Sequence, residues 1–366
     1  AVALGAEGIG LCRTEHMFLH PLRLPAVRQM LLNAEAAEEW RREHLDLAED
    51  PSSAPELPTG VAEFFTALAR VRQLQTDDFT QIFEVMGRRP VIIRLLDAPL
   101  HEFLPPYESL LTELVELRAR RAPPEEIGGK EAFCRLVDSL REANPMLGHR
   151  GCRLGLSFPA IYQMQVEAII TAAAILIKKG VEVHPEIMVP LTVHVEEMRR
   201  LRRGLTAVAD RVQQRLGINV PYKFGTMIET PRAALTAGEI ARESEFFSFG
   251  TNDLTQMTYG FSRDDAEGKF LRSYVNEGIL PADPFATMDA EGVGVLVRMA
   301  VKAGRETRPG LEIGICGEHG GDPASIEFCH RAGLNYVSCS PFRVPVARLA
   351  AAQAALAAPY PERVGP

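Results

Sequence analysis

Apolar positions along this chain fall into short clusters, and the clusters alternate with longer stretches of helical spacing. Eight short apolar or β-branched runs each lead into a polar loop containing Gly or Pro. They are GIGLCRTEH (8–16), PVIIRLLDAP (90–99), PMLGHRGCRL (145–154), PEIMVPL (185–191), KFGTMIETP (223–231), FFSFGTNDL (246–254), LEIGICGEH (311–319) and YVSCSPF (336–342). Runs of that length bounded by turn residues predict strands. After Ser157 and Pro159, the residues Ile161, Met164, Ala168, Ile169, Ala172 and Ile175 share one helical side. That helix is predicted to stop at Lys178-Lys179-Gly180, a basic last turn followed by a glycine terminator. A second helix is predicted from Pro231, after Thr230, and a third, rich in charge, from Val195. The Ala-rich stretch 347–358 reads as the closing helix.

Strand alternating with helix predicts a parallel sheet. Eight such units predict a (β/α)8 TIM-type barrel with inserted helices and loops, a fold of usual size about 250 residues. The chain has 366 residues, read as a single barrel domain over 1–366. The surplus is assigned to an insertion at about 41–65, which holds the Pro/Ser-rich LAEDPSSAPELPTG, and to the long segment between Asp253 and Cys316. No apolar run approaches the roughly 20 residues needed to span a bilayer, so no membrane association is expected. The N-terminus lacks an initiator Met and the pattern of a signal peptide, so a fragment of a longer protein is expected.

Charge narrows the partners. The formal net charge of −8 argues against a general nucleic-acid binder but leaves room for a small anionic ligand held by local arginines. Cys12, Cys134, Cys152, Cys316, Cys329 and Cys339 contain no C-x-x-C pair. Free thiols in a reducing cytoplasm are therefore expected.

In a barrel the C-terminal strand ends meet on one face, where catalytic groups sit. The predicted strands deliver Arg13, Arg94, Arg150, Val189-Pro190, Glu229, Asn252 with Asp253, Cys316, and Ser338 to Ser340 to that face. Singly, each has a bland reading: a surface ion pair, a helix N-terminal acid, a structural thiol. Together they suit an anionic substrate and a hard metal. Glu229 and Asp253 would supply the one or two carboxylates that Mg²⁺ takes alongside water and substrate oxygens. Guanidiniums offer paired planar donors to phosphate. A thiol could protonate the carbon of an enolate. A zinc site from Cys316, Glu318 and His319 is the competing reading, disfavoured by its tight spacing. GAEGIG (5–10) precedes a strand, whereas a dinucleotide fingerprint follows one.

With these residues in hand, the chain resembles the C-terminal phosphoenolpyruvate/pyruvate-binding domain of the pyruvate, phosphate dikinases. Phosphoenolpyruvate (PEP) synthase and enzyme I of the sugar phosphotransferase system are their relatives. The motifs that carry the resemblance are GIGLCRTEHMF, RLLDAPLHEFLP, NPMLGHRGCRLG, MIETPRA, SFGTNDLTQMTYGFSRDD and GICGEHGGDPASIEFCHRAGLNYVSCSPFRVPVARL. The resemblance implies Mg²⁺-dependent phosphoryl transfer between PEP/pyruvate and a phosphohistidine carrier domain. It implies Mg²⁺ on Glu229 and Asp253, and phosphoryl and enolate binding by Arg13, Arg94 and Arg150. Substrate carboxylate would lie on Asn252 with the Gly250 and Thr251 backbone, a phosphate contact would come from Arg263, and Cys316 would be the acid/base. It further implies a homodimer in a cytoplasm of bacterial type, a plastid remaining open. Neither an ATP-grasp domain nor a carrier-histidine motif is found in the chain. An Mg²⁺-dependent aldolase-type lyase on pyruvate or PEP, and a non-catalytic dimerisation scaffold, are the alternatives.

Overall fold

The computed structural model describes residues 1–44, 54 and 56–358. Seven parallel strands form one sheet: β1 (Ile9–Arg13), β2 (Pro90–Arg94), β3 (His184–Val189), β4 (Lys223–Ile228), β5 (Phe246–Gly250), β6 (Glu312–Cys316) and β7 (Tyr336–Val337), paired in sequence order. The sheet curls until its edges nearly meet. A Cβ added at Gly10 of β1 would lie 2.6 Å from the Cβ of Ser338, just past β7. The fold is therefore α/β and of TIM type, as the pattern predicts.

The strand count differs by one among the described residues. The run 145–154 is no strand: Pro145–Leu147 is a 3-10 turn and Cys152–Ser157 a short helix. β2 pairs directly with β3 in unbroken register from Pro90↔His184 to Arg94↔Met188, so no strand fits between them. Locally, Pro145 and the left-handed Gly151 (φ 59°) are incompatible with a continuous ladder. The insertion expected at 41–65 falls largely on residues 45–53 and 55, which lie outside the described residues. On either side are helices Ala34–Glu43 and Thr59–Met86.

The helix Pro159–Lys178 has the predicted limits. By length and hydropathy it could cross a membrane, contrary to the sequence expectation, but 72% of its most apolar window is buried within the protein. Ile161, Val166, Ile169, Ile170 and Leu176 are wholly buried, each contributing about 1.5–3 kcal/mol of burial free energy. This helix packs between Thr59–Met86 and Val195–Leu216 and is a core element. It also holds the loop after β2. Tyr162 Oη donates to the Leu96 carbonyl (2.8 Å), and Gln165 Oε1 accepts from the Leu96 amide (2.9 Å).

Alternation along the strands turns every second residue into the barrel. Leu11, Ile92, Met188, Met227, Phe246, Cys316 and Tyr336 pack together there. Below them, at the N-terminal mouth, Lys223 Nζ bridges Glu186 (2.9 Å) and Glu312 (2.5 Å).

Candidate active site

A cavity of about 240 Å³ opens at the C-terminal ends of the strands. It is lined by Arg13 and Leu11 from β1, Glu15 and His16 just after it, Arg94 from β2, and Met227 and Glu229 at β4. Gly250 to Asp253, Cys316 and Gly317 complete the wall, with Arg150 reaching in from the loop that had been read as a strand. Of the residues expected to bind substrate or metal or to act as acid/base, only Arg263 lies outside this cavity; Val189-Pro190 and Ser338 to Ser340 do not line it either. Arg263 lines a neighbouring cavity of about 290 Å³, which shares Gly317 with the first. There it pairs with Glu267 at 2.8 Å and sits over the Phe285 ring.

Arg94 and Arg150 are fixed by a carboxylate that sequence reading left without a role. Asp97, 1% exposed, takes Arg94 Nη1 at 2.9 Å and Arg150 Nη2 at 2.7 Å. Glu15 holds the other end of Arg94, and Asp253 accepts from Arg150 Nη2 at 3.0 Å. Burial opposes the charge on both guanidiniums, yet the carboxylates around them, Asp97 above all, raise their pKa. Arg13, by contrast, is exposed and makes no ion pair with a described residue. The three arginines are thus unequal: two are braced, one is free. The signal for Asp97 was its place three residues after Arg94, close enough to turn back onto it.

Glu229 and Asp253 face each other across the cavity wall. Glu229 is 1% exposed. The Leu191 amide donates to its Oε1 at 2.6 Å, and Leu191 adopts a left-handed backbone (φ 59°) to do so. Asp253 stands in the first turn of the helix Thr251–Tyr259, where the helix dipole favours a negative charge. Burial, then repulsion from Asp253, pushes the Glu229 carboxyl up to about 8. Burial likewise raises Asp253, against the pull of Arg150. Gly250 permits this crowding, since a Cβ there would lie 2.6 Å from Glu229 Oε2.

These residues fit a hard divalent cation. With Glu229 held protonated, Glu15, Asp97 and Asp253 already balance the three guanidiniums, so a bound anion needs positive charge from elsewhere. Asn252 Oδ1 is buried without a hydrogen-bond partner at the same wall. Among the described residues no group of three or more His, Cys, Asp or Glu is placed to hold a metal ion, so the carboxylate pair would have to hold one together with substrate oxygens and water.

Cys316 ends β6, 3% exposed, with its sulfur 3.4 Å from the Phe249 carbonyl. Burial pushes its thiol up to about 11, while Arg94 and the Ser248 hydroxyl pull the other way. The group is therefore protonated at neutral pH: an acid with its proton in hand. Beneath it the buried Ser248 hydroxyl stands between the Cys316 thiol and the Tyr336 hydroxyl, within reach of both, and the Tyr336 ring lies over Gly314 on the strand beside Ser248. Sequence reading missed both; period-two alternation back from Cys316 and Gly250 would have placed Gly314 and Ser248 inside the barrel. At β7 it is Tyr336 that packs against Cys316 inside the barrel, while Ser340 lines the neighbouring cavity. The zinc reading loses its third ligand, because both ring nitrogens of His319 are engaged by Thr251 and Pro284.

A family model described as PEP-utilising enzyme, PEP-binding domain, matches residues 1–356. The pyruvate, phosphate dikinase of Clostridium symbiosum is 51% identical over 360 residues, covering 97% of this chain and 37% of that protein. The pyruvate, phosphate dikinase of Entamoeba histolytica is 48% identical over 360 residues, with 98% and 38% covered. A chloroplastic pyruvate, phosphate dikinase of Arabidopsis thaliana is 52% identical over 354 residues, with 96% and 33% covered. The chain spans little more than a third of the length of these curated relatives.

Proposed function

This chain belongs to the PEP-utilising enzymes, matching their PEP-binding domain, and on that footing we propose that it carries out the PEP/pyruvate half of a dikinase reaction. In that half-reaction the phosphoryl group of PEP passes to a histidine on a separate carrier domain, leaving the enolate of pyruvate, or the reverse. The observation that carries the reading is the meeting of a protonated thiol, three guanidiniums and two carboxylates in one cavity at the strand ends.

Each residue then has a task. Glu229 and Asp253 would hold Mg²⁺, which when bound stabilises negative charge on the substrate's oxygens as the phosphoryl group departs. Arg94 and Arg150, fixed through Asp97, would orient phosphoryl and enolate oxygens. Arg13, having no carboxylate partner, would meet the incoming charge first. Gly250, Thr251 and Asn252 would take the substrate carboxylate at the start of a helix. The Cys316 thiol would give its proton to the methylene carbon of the enolate, forming pyruvate and a thiolate. That thiolate would be stabilised by Arg94 and by the Ser248 and Tyr336 hydroxyls. In reverse, the thiolate would take a proton from the methyl group of pyruvate. Arg263 would contribute from the adjoining cavity, at the edge of the bound phosphate.

The domain is proposed to be one barrel of a longer enzyme, a reading supported by the fraction of each relative that it covers. The carrier histidine would come from another part of that enzyme. A homodimer is supported by the exposed apolar side chains Leu349 and Leu356 on the closing helix Val344–Ala357 and Phe342 just before it. A reducing compartment is supported by six free cysteines; a cytoplasm of bacterial type is proposed. The lyase reading is not favoured, since it needs neither a thiol nor three arginines. Exchange of pyruvate methyl protons with deuterated water tests the assignment. The chain with Mg²⁺ should exchange them, and omission of Mg²⁺ should stop it. No exchange, with no heat on titrating PEP and Mg²⁺, would refute the assignment.

A further inference from the structure

His319 is wholly buried, yet it touches neither the cavity's carboxylates nor its thiol. Its Nε2 lies 2.9 Å from the Pro284 carbonyl and its Nδ1 2.7 Å from Thr251 Oγ1. Thr251 Oγ1 lies in turn 3.0 Å from the Cys316 carbonyl. Proton counting restricts this line. A carbonyl only accepts, so Nε2 carries hydrogen and donates to Pro284. Burial keeps the imidazole neutral, the carbonyl of Pro284 opposing that only in part. Nδ1 is then an acceptor. The single Thr251 hydrogen has two acceptors in reach, Nδ1 and the Cys316 carbonyl. Thr251 is wholly buried, and no water-facing alternative exists for its hydroxyl.

The three residues join three pieces of chain that are far apart in sequence. Thr251 opens the helix whose first turn holds Asn252 and Asp253. Cys316 ends β6. Pro284 precedes Phe285, the ring under Arg263 in the adjoining cavity. Gly317, with φ 105°, lets the chain pass within contact of Thr251 and Asn252: a Cβ there would lie 2.9 Å from Thr251 Oγ1 and 3.2 Å from Asn252 Oδ1. We propose that His319 is a positioning residue of this site: through the Thr251 hydroxyl it sets the spacing between the carboxylate-binding turn 250–252 and the thiol of Cys316. This inference rests on the reaction proposed above. Its physical basis is that a thiol must stand within contact of the methylene carbon while the carboxylate at the other end of the same small molecule stays bound. A displacement of about 1 Å costs such a step on the order of 100-fold.

The test is a double-substitution cycle on the chain as it is, measured by Mg²⁺-dependent exchange of pyruvate methyl protons. His319→Leu should lower kcat about tenfold or more while KM moves less than about threefold. His319→Gln, which keeps a donor and an acceptor, should recover most of the loss. Thr251→Val should lower kcat comparably to His319→Leu. The pair together should be no worse than either alone, because both remove the same link. Melting curves and calorimetry with oxalate and Mg²⁺ identify any variant that merely fails to fold. Multiplicative losses in the double variant, or parental kcat in a folded His319→Leu, would overturn the positioning role. A parent chain that exchanges no protons would instead overturn the half-reaction itself.

Discussion

Both mouths of the barrel carry buried charge, and they carry it differently. At the N-terminal mouth Lys223 stands between Glu186 and Glu312, within 2.9 Å of each. One cation there meets two anions over short, direct contacts, and the cation itself is 44% exposed. At the C-terminal mouth the same kinds of groups are left unfinished. Glu229 and Asp253 repel each other. Among the described residues Arg13 has no ion-pair partner, and Asn252 Oδ1, Arg94 Nε and Glu15 Oε2 are buried without hydrogen bonds. A folding chain gains nothing from leaving polar atoms unsatisfied. The several unpaired groups gathered at one end therefore mark where a ligand belongs, against the single one, Glu186 Oε2, left among the described residues at the other.

The sharpest way to break this contrast is at the thiol. Cys316→Ala should reduce pyruvate proton exchange by about 10²–10⁴-fold and leave PEP and Mg²⁺ binding by calorimetry close to the parent. Exchange at the parental rate would remove Cys316 from the chemistry. Next is the brace between the arginines. Asp97→Asn keeps the shape but removes the charge that Arg94 and Arg150 share, and should cost about 100-fold in kcat/KM; an unchanged value would show that the arginines hold themselves.

The carboxylate pair yields a dependence on pH. In the metal-free protein Glu229 titrates at about 8, above its unfolded value. Its protonated form therefore contributes stability that is full below the unfolded pKa and is lost as pH rises through about 8. If Mg²⁺ binds the same carboxylate, as proposed, it must displace that proton. The rise in Tm on adding Mg²⁺ should therefore grow between about pH 6 and about pH 9. A constant rise across that range would place the ion elsewhere. At the opposite mouth, Lys223→Met should cost about 1–3 kcal/mol of stability in urea unfolding, reduced from a fully buried pair by the exposure of the lysine. It should leave proton exchange untouched, and lost exchange in a folded variant would erase the distinction between the mouths. The smallest effect is expected at Arg263, outside the main cavity and already paired with Glu267. Arg263→Ala should raise the KM for PEP by no more than about threefold, against tenfold or more for Arg13→Ala; equal effects would mean that the two cavities act as one.

Much of this was legible along the chain because the periods of strand and helix are local properties. The helix Pro159–Lys178 announced both its ends through Pro159 and the Lys178-Lys179-Gly180 stop. The strand ends at Arg13, Arg94, Glu229, Asn252-Asp253 and Cys316 follow from short apolar runs closed by turn residues. The run 145–154 misled because a Gly- and Pro-rich loop with a few apolar residues has the composition of a strand end without its ladder. Only pairing decides that, and β2 had already paired with β3. Arg150 reached the cavity all the same, from a loop, because a long side chain needs only a nearby anchor.

The amino-acid sequence by itself determined the alternation of elements, the residue types at the strand ends and hence the class of chemistry, since these depend on neighbours within a few positions. The tertiary structure alone decided which charges are spent on each other and which remain for a ligand. Asp97 joins Arg94 to Arg150, His319 joins Thr251 to Pro284, and Ser248 and Tyr336 lie beneath Cys316. Those partnerships act through space over a few ångströms between residues dozens of positions apart, and closing the barrel is what brings them into range.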